Sequence, residues 1–268
     1  MSQKNALIPR PVKVLDVYHE SPDTITITLD MQVDHEPGQF IQVSLFGIGE
    51  APISISSYSN KFLKISVRAI GNVTNELAKV QKGDILHVRG PYGNGYPLKE
   101  YFGKSIVLIG GGCGVAPLKG AIDYIEAHRE KFHDIYLFLG FRGPADILFK
   151  RELVEWRKKY HIETTVEEVP QGTCYTGQSG YITKALSAFS ICGPDRFVVF
   201  MCGPPPMMNA SVKILREKKV PFSRMFVSTE RLMYCAIGQC CHCMVRDKFI
   251  CTDGPVFCYE DIRRIKSD

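Results

Sequence analysis

The sequence predicts an N-terminal antiparallel β-barrel, then an α/β domain built on a parallel sheet, then a small cysteine-rich module. Short β-branched runs broken by turn residues fill the first hundred positions, which suits a small barrel. Beyond them, apolar runs alternate with helical periodicity, as in βαβ units. Six of the ten cysteines then crowd between Cys235 and Cys258. A chain of 268 residues exceeds one typical domain, and 45% hydrophobic with 23% charged residues is a globular composition.

In the barrel, strands are expected at 12–17, 24–29, 40–45, 64–67 and 85–88, with turns at Glu36-Pro37-Gly38 and Lys82-Gly83-Asp84 and one helical stretch at 74–80. After Tyr101-Phe102-Gly103-Lys104, strands are expected at 105–109, 134–139, 163–169 and 197–202, and helices at 117–130, 149–159 and 206–218. The predicted domains are therefore 1–100, 101–224 and 225–268. A net charge of +5 with scattered Lys and Arg gives no basic stripe for nucleic acid. No apolar stretch approaches the ~20 residues of a membrane span, and the start lacks the apolar core of a secretory signal, so a cytoplasmic protein is expected. No G-x-S-x-G, H-E-x-x-H or P-loop motif occurs, which removes the usual residues of hydrolases and kinases.

In a reducing compartment a cysteine cluster reads as a metal site. Cys235-x4-Cys240-x2-Cys243-x7-Cys251 matches the plant-type [2Fe–2S] spacing, and Gly238 permits the tight bend such a loop needs. The rival is structural zinc, which also takes four thiolates, though more often from two paired knuckles. Cys241 and Cys258 fall outside the pattern and read as packed or free thiols, and His242 as a neighbour rather than a ligand.

Three segments could meet a nucleotide. Gly110-Gly111-Gly112-Cys113-Gly114 follows an apolar strand and precedes a helix opened by Pro117, so it is either a phosphate cradle or a bare strand-to-helix turn. Gly71-Asn72-Val73-Thr74 stands before the barrel's helical stretch, where Thr74 serves as a cap or the turn holds an anion. Cys202-Gly203-Pro204 sits at the end of a predicted parallel strand, the edge where open α/β sheets bind ligands, while Met207 and Met208 read as core.

Together these segments resemble the ferredoxin–NADP reductase superfamily, in the branch whose chains end in a [2Fe–2S] domain. Pro37-Gly38-Gln39-Phe40 resembles a family strand, Ala51-Pro52-Ile53-Ser54-Ile55-Ser56 its flavin-contacting strand, and Gly71 to Thr74 its pyrophosphate turn. Gly90-Pro91-Tyr92-Gly93-Asn94-Gly95, the glycine run through Leu118, Cys202-Gly203-Pro204, Glu230-Arg231-x-Met233-x-Cys235 and Cys251-x-Asp253-Gly254-Pro255-Val256-Phe257 complete the likeness in the family's order. It implies FAD held by Pro52, Ile53, Ser54, Ile55, Ser56, Gly71, Val73 and Thr74. NAD(H) or NADP(H) would lie on Gly110, Gly111, Gly112, Gly114, Gly203 and Pro204, with Cys202 beside the nicotinamide. Arg142 is placed for a ribose or 2′-phosphate contact, or is a solvated loop charge.

One departure stands out. Many relatives carry Arg before the flavin strand's Pro, whereas Glu50-Ala51 precede Pro52 here, so Arg68 is the replacement expected at the FAD phosphates. Within the branch, the 47–54 run and the carboxyl tail look most like the electron-transfer subunit of anaerobic sulfite reductase. The gamma subunit of NAD(P)-linked hydrogenases and the dihydroorotate dehydrogenase electron-transfer subunit are the near alternatives. The implied role is an electron-transfer subunit whose partner holds the terminal acceptor, such as a siroheme/iron–sulfur sulfite reductase subunit. A redox sensor without turnover is the reading from a different class.

Overall fold

A computed structural model describes residues 6–245 and 247–263. Six strands form the first domain: β1 (Arg10–Ser21), β2 (Thr24–Leu29), β3 (Phe40–Leu45), β4 (Gly49–Ser54), β5 (Leu63–Arg68) and β6 (Ile85–Tyr92), with α1 (Asn72–Leu77) between the last two. They pair antiparallel in the order β4-β3-β6-β1-β2-β5. The long β1 makes a barrel corner by changing partners, since Arg10 to Lys13 pair with β6 and Val14 to Ser21 with β2. A bridge between Ile55 and Ile65 joins the two sheet ends. Alternation sends Ile25, Ile27, Ile41, Val43, Ile53, Ile65 and Val67 into one core. Phe40, Gln42 and Ser44 therefore lie on the opposite face of β3.

The second domain continues with β7 (Ser105–Gly111), α2 (Val115–Ala127), β8 (Ile135–Phe141), α3 (Lys150–Lys159), β9 (His161–Val166), β10 (Gln178–Ser179), α4 (Ile182–Ala188), β11 (Phe197–Cys202), α5 (Pro205–Glu217) and β12 (Met225–Ser228). Every residue of β7 and β11 is buried, as expected of central parallel strands covered on both faces. A hairpin of β13 (Met244–Val245) and β14 (Lys248–Phe249) follows, then β15 (Val256–Cys258) and α6 (Tyr259–Ile262). The seven-stranded sheet runs β10-β9-β8-β7-β11-β12-β15, parallel except for β15, which lies antiparallel on β12.

The structure differs from the sequence expectation in several places: β1 and β6 are longer, the helices expected at 74–80 and 117–130 lie at 72–77 and 115–127, and α4 was not expected. The strand expected at 163–169 starts at His161, whose register partner is Tyr136, and stops at Val166, where exposed Glu167 and Glu168 begin. β12 and β15 belong to the sheet, so the carboxyl-terminal module is a loop let out between two sheet strands and closed at its base by Thr229 N–H to the Pro255 carbonyl at 2.9 Å.

Candidate functional site

The 230–255 loop gathers the four motif cysteines in two pairs. Cys240 lies beside the Cys235 sulfur, and Cys243 beside that of Cys251. Backbone amides converge on these sulfurs: Ile237, Gln239 and Cys240 donate to Cys235 Sγ at 3.5, 3.3 and 3.3 Å, and Gly238 to Cys251 Sγ at 3.2 Å. Positive φ at Ala236 (62°), Gly238 (75°) and Cys241 (60°) curls the chain so that these amides face inward, a nest suited to negative charge. Burial pushes the Cys235 thiol up, but the amides outweigh it and bring it to about 7, whereas burial and the neighbouring Cys243 hold Cys251 up at about 12.

Among the described residues no three ligand-type side chains converge on a single ion position. The two irons of a [2Fe–2S] cluster each take a pair of thiolates. The paired cysteines and inward amides fit the cluster. Cys241 is exposed with its Sγ 3.9 Å from the Gln239 carbonyl, and Cys258 points to the Phe222 carbonyl at 3.7 Å. Neither belongs to a pair. The ring of His242 lies edge-on to Tyr234.

The module docks on the outer face of the barrel. Phe40, opposite Ser54 in register, packs with Met233, Ala236, Cys243, Ile250 and Cys251. Asn94 adds two bonds, its N–H to the Gly254 carbonyl at 2.6 Å and its Nδ2 to that of Asp253 at 2.7 Å. Pro52 and Ser54 are half-buried on this same face, while Ile53 and Ile55 point into the barrel core and can offer a cofactor only their backbone. Ser56 is occupied elsewhere. It receives a bond from Ser66 at 3.0 Å, in a buried chain that continues through Thr26 to Glu20 and the Phe149 N–H of the second domain.

Sequence reasoning missed Arg89, the residue that joins the two faces. Glu50, the residue behind the departure from the family's strand, is its partner. No pattern marks Arg89 itself; the acid two places before Pro52 was the available signal.

Arg68 ends β5 and donates from Nε to Asp23 Oδ2 at 2.8 Å. The same oxygen lies 3.5 Å from Nη2 of Arg142, which also reaches Asp146 at 3.0 Å. The structure thus brings Arg68 and Arg142 to one carboxylate between the domains. At the 71–74 turn, Thr74 Oγ1 accepts from the Gly71 and Ile70 amides at 2.9 and 3.1 Å, so its hydroxyl serves the turn. A Cβ on Gly49 would lie 3.1 Å from Val73, which places that turn against the start of β4.

The predicted nucleotide residues share the carboxyl edge of the parallel sheet. Cys202 of β11 is in register with Gly110 of β7, Gly110 with Leu139 of β8, and Arg142 follows β8 directly. Three of the glycines are explained by packing: a side chain at Gly110 would strike Val115, at Gly111 Met207, and at Gly114 the Cys202 carbonyl. Gly112 alone of these four has φ +54° with open space beyond its Cα, so packing does not account for it and its backbone is partly exposed. Gly203 abuts the Gly111 amide, locking the two strand-end turns together. Burial holds the Cys202 thiol well above its ordinary value and raises half-buried Cys113 to about 11, so both stay protonated.

Comparison with known proteins agrees with this layout. The oxidoreductase NAD-binding domain model matches residues 108–213, and the iron–sulfur cluster binding domain of dihydroorotate dehydrogenase B matches 230–263. The sulfhydrogenase 2 gamma subunit of Pyrococcus furiosus is 35% identical, covering 84% of each chain. A probable dihydroorotate dehydrogenase B electron transfer subunit of Methanocaldococcus jannaschii is 32% identical over 95% of this chain and 91% of its own. The chain belongs to this family of gamma and electron-transfer subunits.

Like the family, it is an oxidoreductase chain joining an NAD-binding domain to an iron–sulfur cluster binding domain. The solved NADH-dependent reduced ferredoxin-NADP oxidoreductase shares the fold, with a TM-score of 0.74 at 24% identity over 94% of this chain and 91% of that one. The relatives named here are hydrogenase and dihydroorotate dehydrogenase subunits, which fits the near alternatives of the sequence reading better than its lean toward sulfite reductase. Among the described residues no helix is long and apolar enough to cross a membrane.

Proposed function

We propose that the chain is an electron-transfer subunit that takes reducing equivalents from NAD(P)H, by way of FAD and a [2Fe–2S] cluster on Cys235, Cys240, Cys243 and Cys251, to a catalytic partner subunit. The carrying observation is Phe40. It is in register with Ser54 of the expected flavin strand and belongs to the same buried cluster as Cys243 and Cys251. The flavin strand and the cluster loop are therefore neighbours across one apolar cluster, which supports a short electron path. When bound, FAD supplies the exchange between two-electron hydride chemistry and single electrons, and the cluster supplies the one-electron carrier.

The chain's own residues bind, orient and shield. Pro52 and Ser54 would face the flavin, the 71–74 turn and Arg68 its phosphates, Gly112 the nucleotide phosphates, and Cys202-Gly203 the nicotinamide. Both thiols near the nucleotide edge stay protonated, so they act as packing surface rather than as nucleophiles. The names of the relatives favour a hydrogenase or dihydroorotate dehydrogenase type of partner over a sulfite reductase.

Anaerobically purified protein should show flavin and cluster absorbance that bleaches within seconds of adding NADH or NADPH. Bound but unresponsive cofactors would instead make the chain a sensor, and zinc without iron would end the cluster assignment. Identifying subunits that co-purify from the native host decides the partner.

A further inference from the structure

Arg89 is 6% exposed at its side chain and hydrogen-bonds groups of both the barrel and the 230–255 loop. Its Nε donates to Glu50 Oε1 at 2.8 Å, and its Nη2 pairs with Glu50 Oε2 and donates to the Tyr234 carbonyl at 2.6 Å. Its Nη1 donates to the Cys235 carbonyl at 2.6 Å and to Tyr92 Oη at 3.3 Å. All five N–H donors of the guanidinium are engaged. Glu50 is fixed in turn by Ser44 Oγ at 2.6 Å. In register beside Arg89 lies Gln42, opposite Pro52 on its other side, fully buried and with neither side-chain polar atom partnered. Arg89, paired with Glu50 of the strand carrying Pro52 and Ser54, thus links that strand to the peptide that carries Cys235.

Burying a cation is costly unless it is paired, and a pair that breaks leaves an uncompensated charge. Such a residue holds its surroundings in one geometry. Here the surroundings are a barrel strand and the backbone of a cysteine predicted to ligate the cluster, more than 140 positions later in the chain. Lysine could not replace it, because an ammonium lacks the planar fork that serves a carboxylate and two carbonyls at once.

Resting on the function proposed above, we propose that Arg89 is a positioning residue for the cluster: it fixes the Tyr234–Cys235 peptide against the flavin strand and, balanced by Glu50, sets the cluster's reduction potential. The sign follows from electrostatics. Reduction adds one negative charge to the cluster, which a nearby fixed cation favours and a nearby carboxylate opposes. Glu50 moderates a cation that would otherwise raise the potential further.

The test is a redox titration of the cluster's EPR signal in the full chain, purified anaerobically with its cofactors and with iron counted. Glu50→Gln removes the opposing charge and should raise the potential, while Arg89→Gln should lower it. Each change should be about tenfold in the reduction equilibrium, or about 59 mV for one electron. Arg89→Lys keeps the charge but loses the fork, so it should restore most of the potential while broadening the EPR signal. If Arg89→Gln fails to assemble a cluster, Glu50→Gln decides alone. An unmoved potential in Glu50→Gln, or shifts of the same sign in both variants, would overturn the inference while leaving the function intact. A wild-type chain without a [2Fe–2S] signal would overturn both.

Discussion

Asp23 holds two arginines from different domains: its Oδ2 is 2.8 Å from Arg68 Nε on the barrel and 3.5 Å from Arg142 Nη2 beyond β8. Ser21 and Thr24 hydroxyls donate to its other oxygen, both at 2.9 Å. Burial alone would raise this carboxyl, but Arg68 and the two hydroxyls outweigh it and hold it below its ordinary value. The carboxylate is ionised at neutral pH and engages both arginines expected to meet cofactor phosphates.

Arg68→Ala should therefore loosen FAD by about 1.5–3 kcal/mol, the range for a lost charged hydrogen bond. Flavin fluorescence after dilution reads the affinity. Unchanged retention would assign Arg68 to Asp23 alone, and Asp23→Asn as a companion variant reports how much of the effect passes through the ion pair.

Cys240→Ser should remove the cluster, and Cys241→Ser should leave it. The two residues are adjacent, yet Cys240 lies beside Cys235 while Cys241 is exposed at φ 60° with its thiol turned toward the Gln239 carbonyl. Iron analysis should give about two irons per chain in wild type and in Cys241→Ser. Loss of iron in Cys241→Ser with retention in Cys240→Ser would reverse the assignment.

The architecture was legible wherever local pattern and tertiary role coincide. β2, β3 and β11 fall on the expected residues because β-branched or apolar runs are bounded by clear turn residues. β12 is four residues long and gains its strand character only from β11 and β15 on either side, so no window of sequence announces it. The cysteine spacing identified the loop, but part of its attachment to the barrel runs from Arg89 to the carbonyls of Tyr234 and Cys235. Carbonyls are common to every residue, and a contact made through them leaves no mark in the side-chain pattern. The glycine run was only partly readable for a related reason. Steric need at Gly110, Gly111 and Gly114 comes from Val115, Met207 and Cys202, and only the fold distinguishes those positions from Gly112.

That distinction gives the third expectation. In Gly112→Val, a β-branched residue is forced to φ +54°, and its side chain fills the open space over the turn. Stopped-flow mixing should show slower flavin bleaching by NAD(P)H, while FAD content and cluster reduction by dithionite stay normal. An unaltered NAD(P)H rate would remove the turn from the nucleotide site.

Glu20 provides a pH test of the contact between the domains. It is 6% exposed and accepts from Thr26 Oγ1 at 2.8 Å and from the Phe149 amide at 2.9 Å. Burial is the largest influence and raises its carboxyl above 4.5 despite those two bonds. Between that unfolded value and the higher folded one, the native state binds more protons than the unfolded state, so stability falls as pH rises. Each unit of separation contributes about 1.4 kcal/mol. Glu20→Gln can keep both partners, with its oxygen accepting from Phe149 and its NH2 donating to Thr26, yet it does not titrate. The melting temperature of Glu20→Gln relative to wild type should therefore climb as pH increases from 4.5 and level off once Glu20 is ionised in the folded chain. A difference that stays constant with pH would mean that burial does not hold the proton on Glu20.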